Sequence, residues 1–167
     1  MTPPLAMPAT KIQRTARFIP VSVLREDPNP VGILDSPEQT LQYWRQVIAA
    51  QPDYEPDKEQ LVAILLNTRL RPFAWHRVST GSLNETIGHP RDILRPVIVG
   101  AAWGFLLAHN HPSGEPTPSR ADRDLTARLS AAADLLQIRL VDHIITTDPD
   151  RESNAPYFSF QEAGILK

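Results

Sequence analysis

Two histidines, a serine and an aspartate fall within fourteen residues, in the segment HNHPSGEPTPSRAD from His109 to Asp122. These residue types hold and use a transition metal: imidazole nitrogens and a carboxylate oxygen ligate it, and a hydroxyl can bond to a reacting oxygen. The segment follows an apolar run, WGFLLA (103–108), that has the composition of a strand. Residues two apart in a strand share a face, so His109 and His111 present both rings to one side while Asn110 points to the other. Pro112, Ser113, Gly114, Pro116 and Pro118 cannot continue a strand and form a turn that delivers the chain to a helix at Ser119. Asp122 lies three residues into that helix, where its carboxylate can swing back as a third ligand. Two neutral imidazoles and one carboxylate leave the fourth tetrahedral position of a zinc ion to water, the pattern of a catalytic site rather than a structural one. Ser119 and Asp122 also have the spacing of a helix N-cap, so local capping is a competing account of that pair.

The elements that must position these residues can be read outward from them. The helix is expected from Ser119 to about Gln137, with Ala121, Leu125, Leu129, Ala132 and Leu136 along its buried face. LVAILLN (61–67) is too uniformly apolar for a half-exposed strand and is expected at the centre of a sheet, covered on both sides. Arg69 to Pro72 turns the chain, and FAWHRVST returns antiparallel as the second arm of a hairpin, ended by Gly81. Upstream, Ser36 with Pro37 and Gln39 has a capping-box pattern opening a helix whose apolar face carries Leu41, Trp44, Val47 and Ile48. Residues 16–24 form an edge strand on this reading, because Pro20 lacks an N–H. Residues 82–89 are a loop leading to a helix from Pro90 to about Gly100, in which Pro96 costs a hydrogen bond and bends the helix. Residues 138–147 form another buried strand, and YFSFQEAGIL closes the chain as a short strand and turn. His143 is either a partner behind the metal ligands or a packed strand histidine. His76 is expected to be a surface or packing residue, and the sequence assigns His89 no role. This order predicts an α/β fold of the α+β type, a mixed sheet flanked by helices.

Composition narrows the function. With 167 residues and 41% hydrophobic content, the chain forms one domain with a sizeable core, expected over residues 16–167 after a disordered arm at 1–15. A net charge of −2 does not support a strongly basic nucleic-acid surface, although Arg69, Arg71, Arg77, Arg91 and Arg95 offer a local patch. The absence of cysteine excludes disulfides, thiol catalysis and the cysteine zinc signature of nucleobase deaminases. No signal peptide or membrane span is visible, and a cytoplasmic protein is the default expectation.

The order His-x-His, seven residues, Ser, two residues, Asp resembles the JAMM signature of the JAB/MPN metalloprotease superfamily. The words GSLNETIGHPRDI, AHNHPSGEPTPSRAD, LVDHIIT and YFSFQEAGIL resemble its RadC branch, a likeness covering residues 16 to 167. Full-length RadC proteins carry an N-terminal helix-hairpin-helix region, and the expectation here is a short, JAB-only member. The resemblance implies a cytidine-deaminase-like fold and a zinc-dependent hydrolase of peptide or isopeptide bonds. It implies Zn2+ on His109, His111 and Asp122, and Ser119 as the group stabilising the carbonyl oxygen. The family's general base is a glutamate just ahead of a core strand, a position matched by Glu59, with Glu55 and Glu85 as weaker candidates. The expected partner is a protein or peptide substrate, a ubiquitin-like tail among them. The competing function is that of a non-proteolytic scaffold or a protein associated with DNA repair.

Overall fold

The computed structural model describes residues 25–26, 31–81, 88–151 and 155–166. The arm expected at 1–15, the edge strand expected at 16–24, and Glu85 with the rest of 82–87 lie outside these residues. Among the described residues six strands form one sheet: β1 (Arg25–Glu26), β2 (Glu59–Leu66), β3 (Pro72–Gly81), β4 (Gly104–Asn110), β5 (Arg139–Thr146) and β6 (Tyr157–Ser159). Their spatial order is β1-β3-β2-β4-β5-β6. β2 pairs antiparallel with β3 and β4, while β4 and β5 run parallel, so the sheet is mixed as expected. Parallel neighbours need a crossover, and this one is made by the helix α3 (Arg120–Leu135).

β2 and β4 occupy the middle and are buried along their whole length. Their side chains alternate between two cores. Leu61, Ala63, Leu65, Phe105 and Leu107 pack with Ile93 and Val97 of helix α2 (Pro90–Val99) and with Leu125 and Leu129 of α3. Val62, Ile64, Leu66, Leu106 and Ala108 pack on the other face with Tyr43, Trp44, Val47 and Ile48. The uniform apolarity of 61–66 thus has its cause in helices on both sides.

Helix α1 (Pro37–Tyr43) passes directly into a π-helical stretch, Trp44–Ile48. The wider turn brings Tyr43 onto the buried face beside the expected Trp44, Val47 and Ile48. Its N-terminus departs from the ideal box: Ser36 Oγ accepts from the Gln39 N–H, but the Gln39 side chain returns to the Asp35 N–H, at 2.8 Å, instead of to Ser36. The hairpin turn is held by Asn67, whose Oδ1 accepts from the N–H groups of Arg69 and Arg71.

The α3 face needs correction. Ala121 is exposed and Leu136 is 46% exposed, whereas Asp122, Leu125, Thr126, Leu129 and Ala133 are buried. The stripe runs through 122, 125, 126, 129 and 133, one position round from the expected one. Two polar residues, Asp122 and Thr126, occupy its first turns because they face polar groups of β4 and β5, and an apolar-only reading of periodicity cannot see them.

Candidate metal centre

The end of β4 presents two imidazoles on the α2/α3 side of the sheet. The strand closes at Asn110, yet the His111 N–H still donates to the Thr146 carbonyl of β5 at 2.9 Å, so the backbone stays extended and the side chains keep alternating. Nε2 of His109 and Nε2 of His111 lie 3.1 Å apart. The turn after His111 is fixed by backbone contact. Gly114 has φ +83, and a Cβ there would stand 1.8 Å from the Arg151 carbonyl oxygen, so only glycine fits. The turn folds back so that the Glu115 carbonyl meets His111 Nδ1 at 2.8 Å, and it ends at Ser119.

Ser119 caps α3 through a reciprocal box. Its Oγ accepts from the Asp122 N–H (3.2 Å), and its own N–H donates to Asp122 Oδ2 (2.7 Å). The Ser119 hydroxyl also donates to Oδ2, at 2.6 Å. Capping therefore aims the carboxylate, and its other oxygen, Oδ1, stands 3.3 Å from His109 Nε2. The cap and the inward carboxylate are one arrangement.

β2 brings in the fourth group. Leu61 pairs with His109 in the ladder, so Glu59, two residues earlier on the same face, reaches the same end of the sheet. Its Oε1 is 3.6 Å from His109 Nε2 and makes no hydrogen bond, although the residue is only 5% exposed. Ligand atoms of Glu59, His109, His111 and Asp122 lie within 4.8 Å of one another, a group able to hold a metal ion. Glu55, by contrast, is exposed and pairs with Lys58 at 2.7 Å.

Hydrogen bonds assign the tautomers. The Thr126 hydroxyl lies 2.6 Å from the Asp122 carbonyl, which can only accept, so its proton sits on that contact. His143 Nδ1, also 2.6 Å from that hydroxyl, must then be the donor. Burial pushes the His143 pKa well below the ordinary histidine value, so the ring is neutral and its Nε2 carries a lone pair. That lone pair accepts from His109 Nδ1–H at 2.9 Å, which turns Nε2 of His109 toward the centre of the group. Burial, with His109 nearby, lowers the His111 pKa; its Nδ1–H is committed to the Glu115 carbonyl, so its Nε2 carries the lone pair. The two Nε2 atoms face each other at 3.1 Å beside the Asp122 carboxylate, a place for a cation, whether a proton or a metal ion. The residues present therefore fit a divalent metal.

The carboxylates carry opposite shifts. Burial raises the Glu59 pKa to about 7 against the pull of His109. Burial acts on Asp122 in the same direction, but bonds and charge from His109 and Ser119 outweigh it and hold the acid well below the usual carboxylate range. One acid is thus permanently ionised while the other titrates near neutrality.

Sequence reasoning left His143 between two roles, and the structure makes it the partner behind His109. The ring also stacks on Phe160 at 4.6 Å. Thr126 and Phe160 carried no signal in the sequence, since each acts through a contact made only when strands and helix pack. The five arginines considered as a patch are divided among three elements: Arg69 and Arg71 in the hairpin turn, Arg77 on β3 paired with Asp53 at 2.9 Å, and Arg91 and Arg95 on α2 near Asp92. Among the described residues, no helix is long and apolar enough to cross a membrane.

Comparison with known proteins bears on the same residues. Positions 34–165 match the RadC-like JAB domain. A UPF0758 protein of Trichlorobacter lovleyi is 42% identical over 109 residues, covering 65% of this chain and 45% of the relative. UPF0758 proteins of Geobacter sulfurreducens and Thermotoga maritima are 38% and 36% identical, covering 78% and 80% of this chain and 52% and 54% of themselves. The chain spans about half the length of these curated relatives.

Proposed function

The chain belongs to the RadC-like JAB domain family, and from that premise we propose that it is a zinc-dependent metallopeptidase hydrolysing a peptide or isopeptide bond. The observation that carries this reading is the convergence of the Nε2 atoms of His109 and His111, 3.1 Å apart beside Asp122 and the unbonded Glu59 oxygen. Bound to His109, His111 and Asp122, the metal would supply Lewis acidity at the scissile carbonyl and make the attacking water more acidic.

The remaining work falls to the chain. Glu59, with a pKa near 7, is matched to accept a proton from the attacking water and return it to the leaving amine. Its freedom from hydrogen bonds leaves Oε1 available for both transfers. Ser119 is exposed, and by turning its hydroxyl from Asp122 to the substrate it would donate to the carbonyl oxygen as negative charge develops there. His109, Asp122 and Glu59 are closed off from solvent while the His111 side chain is 15% exposed, so substrate approaches over His111 and Ser119. A protein or peptide fits that approach, and a ubiquitin-like tail is one extended chain of the right kind.

The test is to load the protein with zinc and assay it on a fluorogenic peptide library and on isopeptide-linked ubiquitin-like conjugates. Glu59→Gln should retain zinc and fold while lowering turnover roughly 10²- to 10⁴-fold. Undiminished turnover in Glu59→Gln would remove Glu59 from the role of base. Failure of the wild type to bind zinc at all would end the metallopeptidase reading.

A further inference from the structure

β2 and β4 stop pairing where the metal centre begins. Their ladder runs from Leu66 and Gly104 to Leu61 and His109, and beyond it the backbone at Asn110 and His111 stays bonded to β5 alone. Had it continued, Glu59 would stand directly opposite His111 with Cα atoms about 4.5–5.5 Å apart, crowding two side chains that must leave space for a metal and a substrate. Separation of the strands creates that space but leaves the start of β2 without ladder bonds to β4.

A side chain closes the gap. Asn110, between the two histidines, points to the opposite face of the sheet and turns its amide toward β2. Its Oδ1 accepts from the Gln60 N–H at 2.8 Å, and its Nδ2 donates to the Lys58 carbonyl at 3.0 Å. The two bonds straddle Glu59. They offer β2 the same pair of groups, one acceptor and one donor, that the backbone of a paired strand residue would. Asn110 is 3% exposed, so either bond, once lost, leaves a buried polar group unmatched.

We propose that Asn110 is a positioning residue for Glu59: its amide stands in for the missing ladder and holds the backbone on both sides of the carboxylate beside the histidine nitrogens. The consequence for hydrolysis rests on the reading of Glu59 as the base, while the clamp itself does not. Because the amide lies behind the sheet, its removal leaves the donor atoms of His109, His111 and Asp122 in place.

The experiment compares wild type, Asn110→Ala and Asn110→Asp as zinc-loaded full chains. In Asn110→Ala, exchange of the Gln60 amide hydrogen should accelerate roughly tenfold, while protection over Val62–Leu65 and zinc affinity against a competing chelator stay unchanged. The Glu59 carboxyl carbon resonance should move toward that of an exposed glutamate. Asn110→Asp keeps the side-chain size and the acceptor for Gln60, so it should retain protection at Gln60 and safeguards the test if the alanine variant folds poorly. On any substrate that the wild type cleaves, Asn110→Ala should lower turnover about 10²-fold and have no further effect in a Glu59→Gln background. Unchanged exchange at Gln60, or loss of protection along all of β2 together with zinc, would overturn the proposal, as would an effect additive to Glu59→Gln. A wild type that binds zinc but cleaves nothing would count against the base reading alone, since exchange and resonance still decide the clamp.

Discussion

The molecule holds two groups of histidines on one side of its sheet, and they differ in what surrounds them. His109, His111 and His143 are packed between β4, β5 and α3, and contacts to His143, Thr126 and the Glu115 carbonyl each fix ring nitrogens as donor or acceptor. His76 and His89 line an open groove of about 420 Å3 with Asp92, Arg95 and Arg128, where β3, α2 and α3 meet. His89 is exposed and spends its Nδ1 capping α2, accepting from the Arg91 N–H at 3.1 Å. The residue type is the same, but burial and directed bonds bring two Nε2 atoms together beside a carboxylate in one case only. A histidine becomes a metal ligand through what its other nitrogen is made to do.

The largest expected break in that contrast is His109→Ala, which should lower zinc affinity about 10²- to 10³-fold if each ligand carries a share of a typical zinc site, while His76→Ala leaves it unchanged. Competition with a chromogenic chelator measures both. Equal losses in the two variants would erase the distinction.

Next in size is the stability of the metal-free protein as a function of pH. The folded-state pKa of Glu59 is raised from 4.5 to about 7, so its contribution to stability is fully present below pH 4.5 and is lost as pH rises through about 7. Glu59→Gln should therefore be more stable than wild type at pH 8, by on the order of 3 kcal/mol, with the gap closing on acidification. Urea unfolding at pH 8 and pH 5 with excess chelator would show it. A difference of the same size at both values would mean that the Glu59 carboxylate is not stranded.

Thr126→Val keeps the shape of the side chain and deletes the hydroxyl that fixes the His143 tautomer. Zinc affinity should fall roughly 10- to 100-fold, with nitrogen shifts reporting a mixed protonation state at His109. The smallest effect is expected at His89→Ala, which removes a cap worth about 1 kcal/mol in thermal or urea unfolding and leaves zinc binding untouched.

These effects also separate what the linear chain shows from what it hides. The shared face of His109 and His111 follows from strand period, and the Ser119–Asp122 cap follows from helix spacing; both are local and both were legible. The central place expected of 61–67 was legible as far as Leu66, because a strand covered on two faces has nowhere to put polar residues, and Asn67 lies beyond it in the turn. The inward stripe of α3 was misjudged by one position because Asp122 and Thr126, two of its members, are polar. Glu59 was reached only through a family resemblance, since nothing in its own neighbourhood points to histidines fifty residues away.

The sequence by itself determined which ligand types could meet and which elements would carry them, because rotation per residue in a strand or helix depends on neighbours a few positions apart. Only the tertiary structure decided that β2 lies beside β4, bringing Glu59 to 3.6 Å from His109, and that β5 and α3 supply His143 and Thr126. It also decided that Asn110, in the sequence only the residue between two histidines, ties β4 to the start of β2. Strand order and register are set by which apolar faces can be buried together, a property of the whole chain that no short window contains.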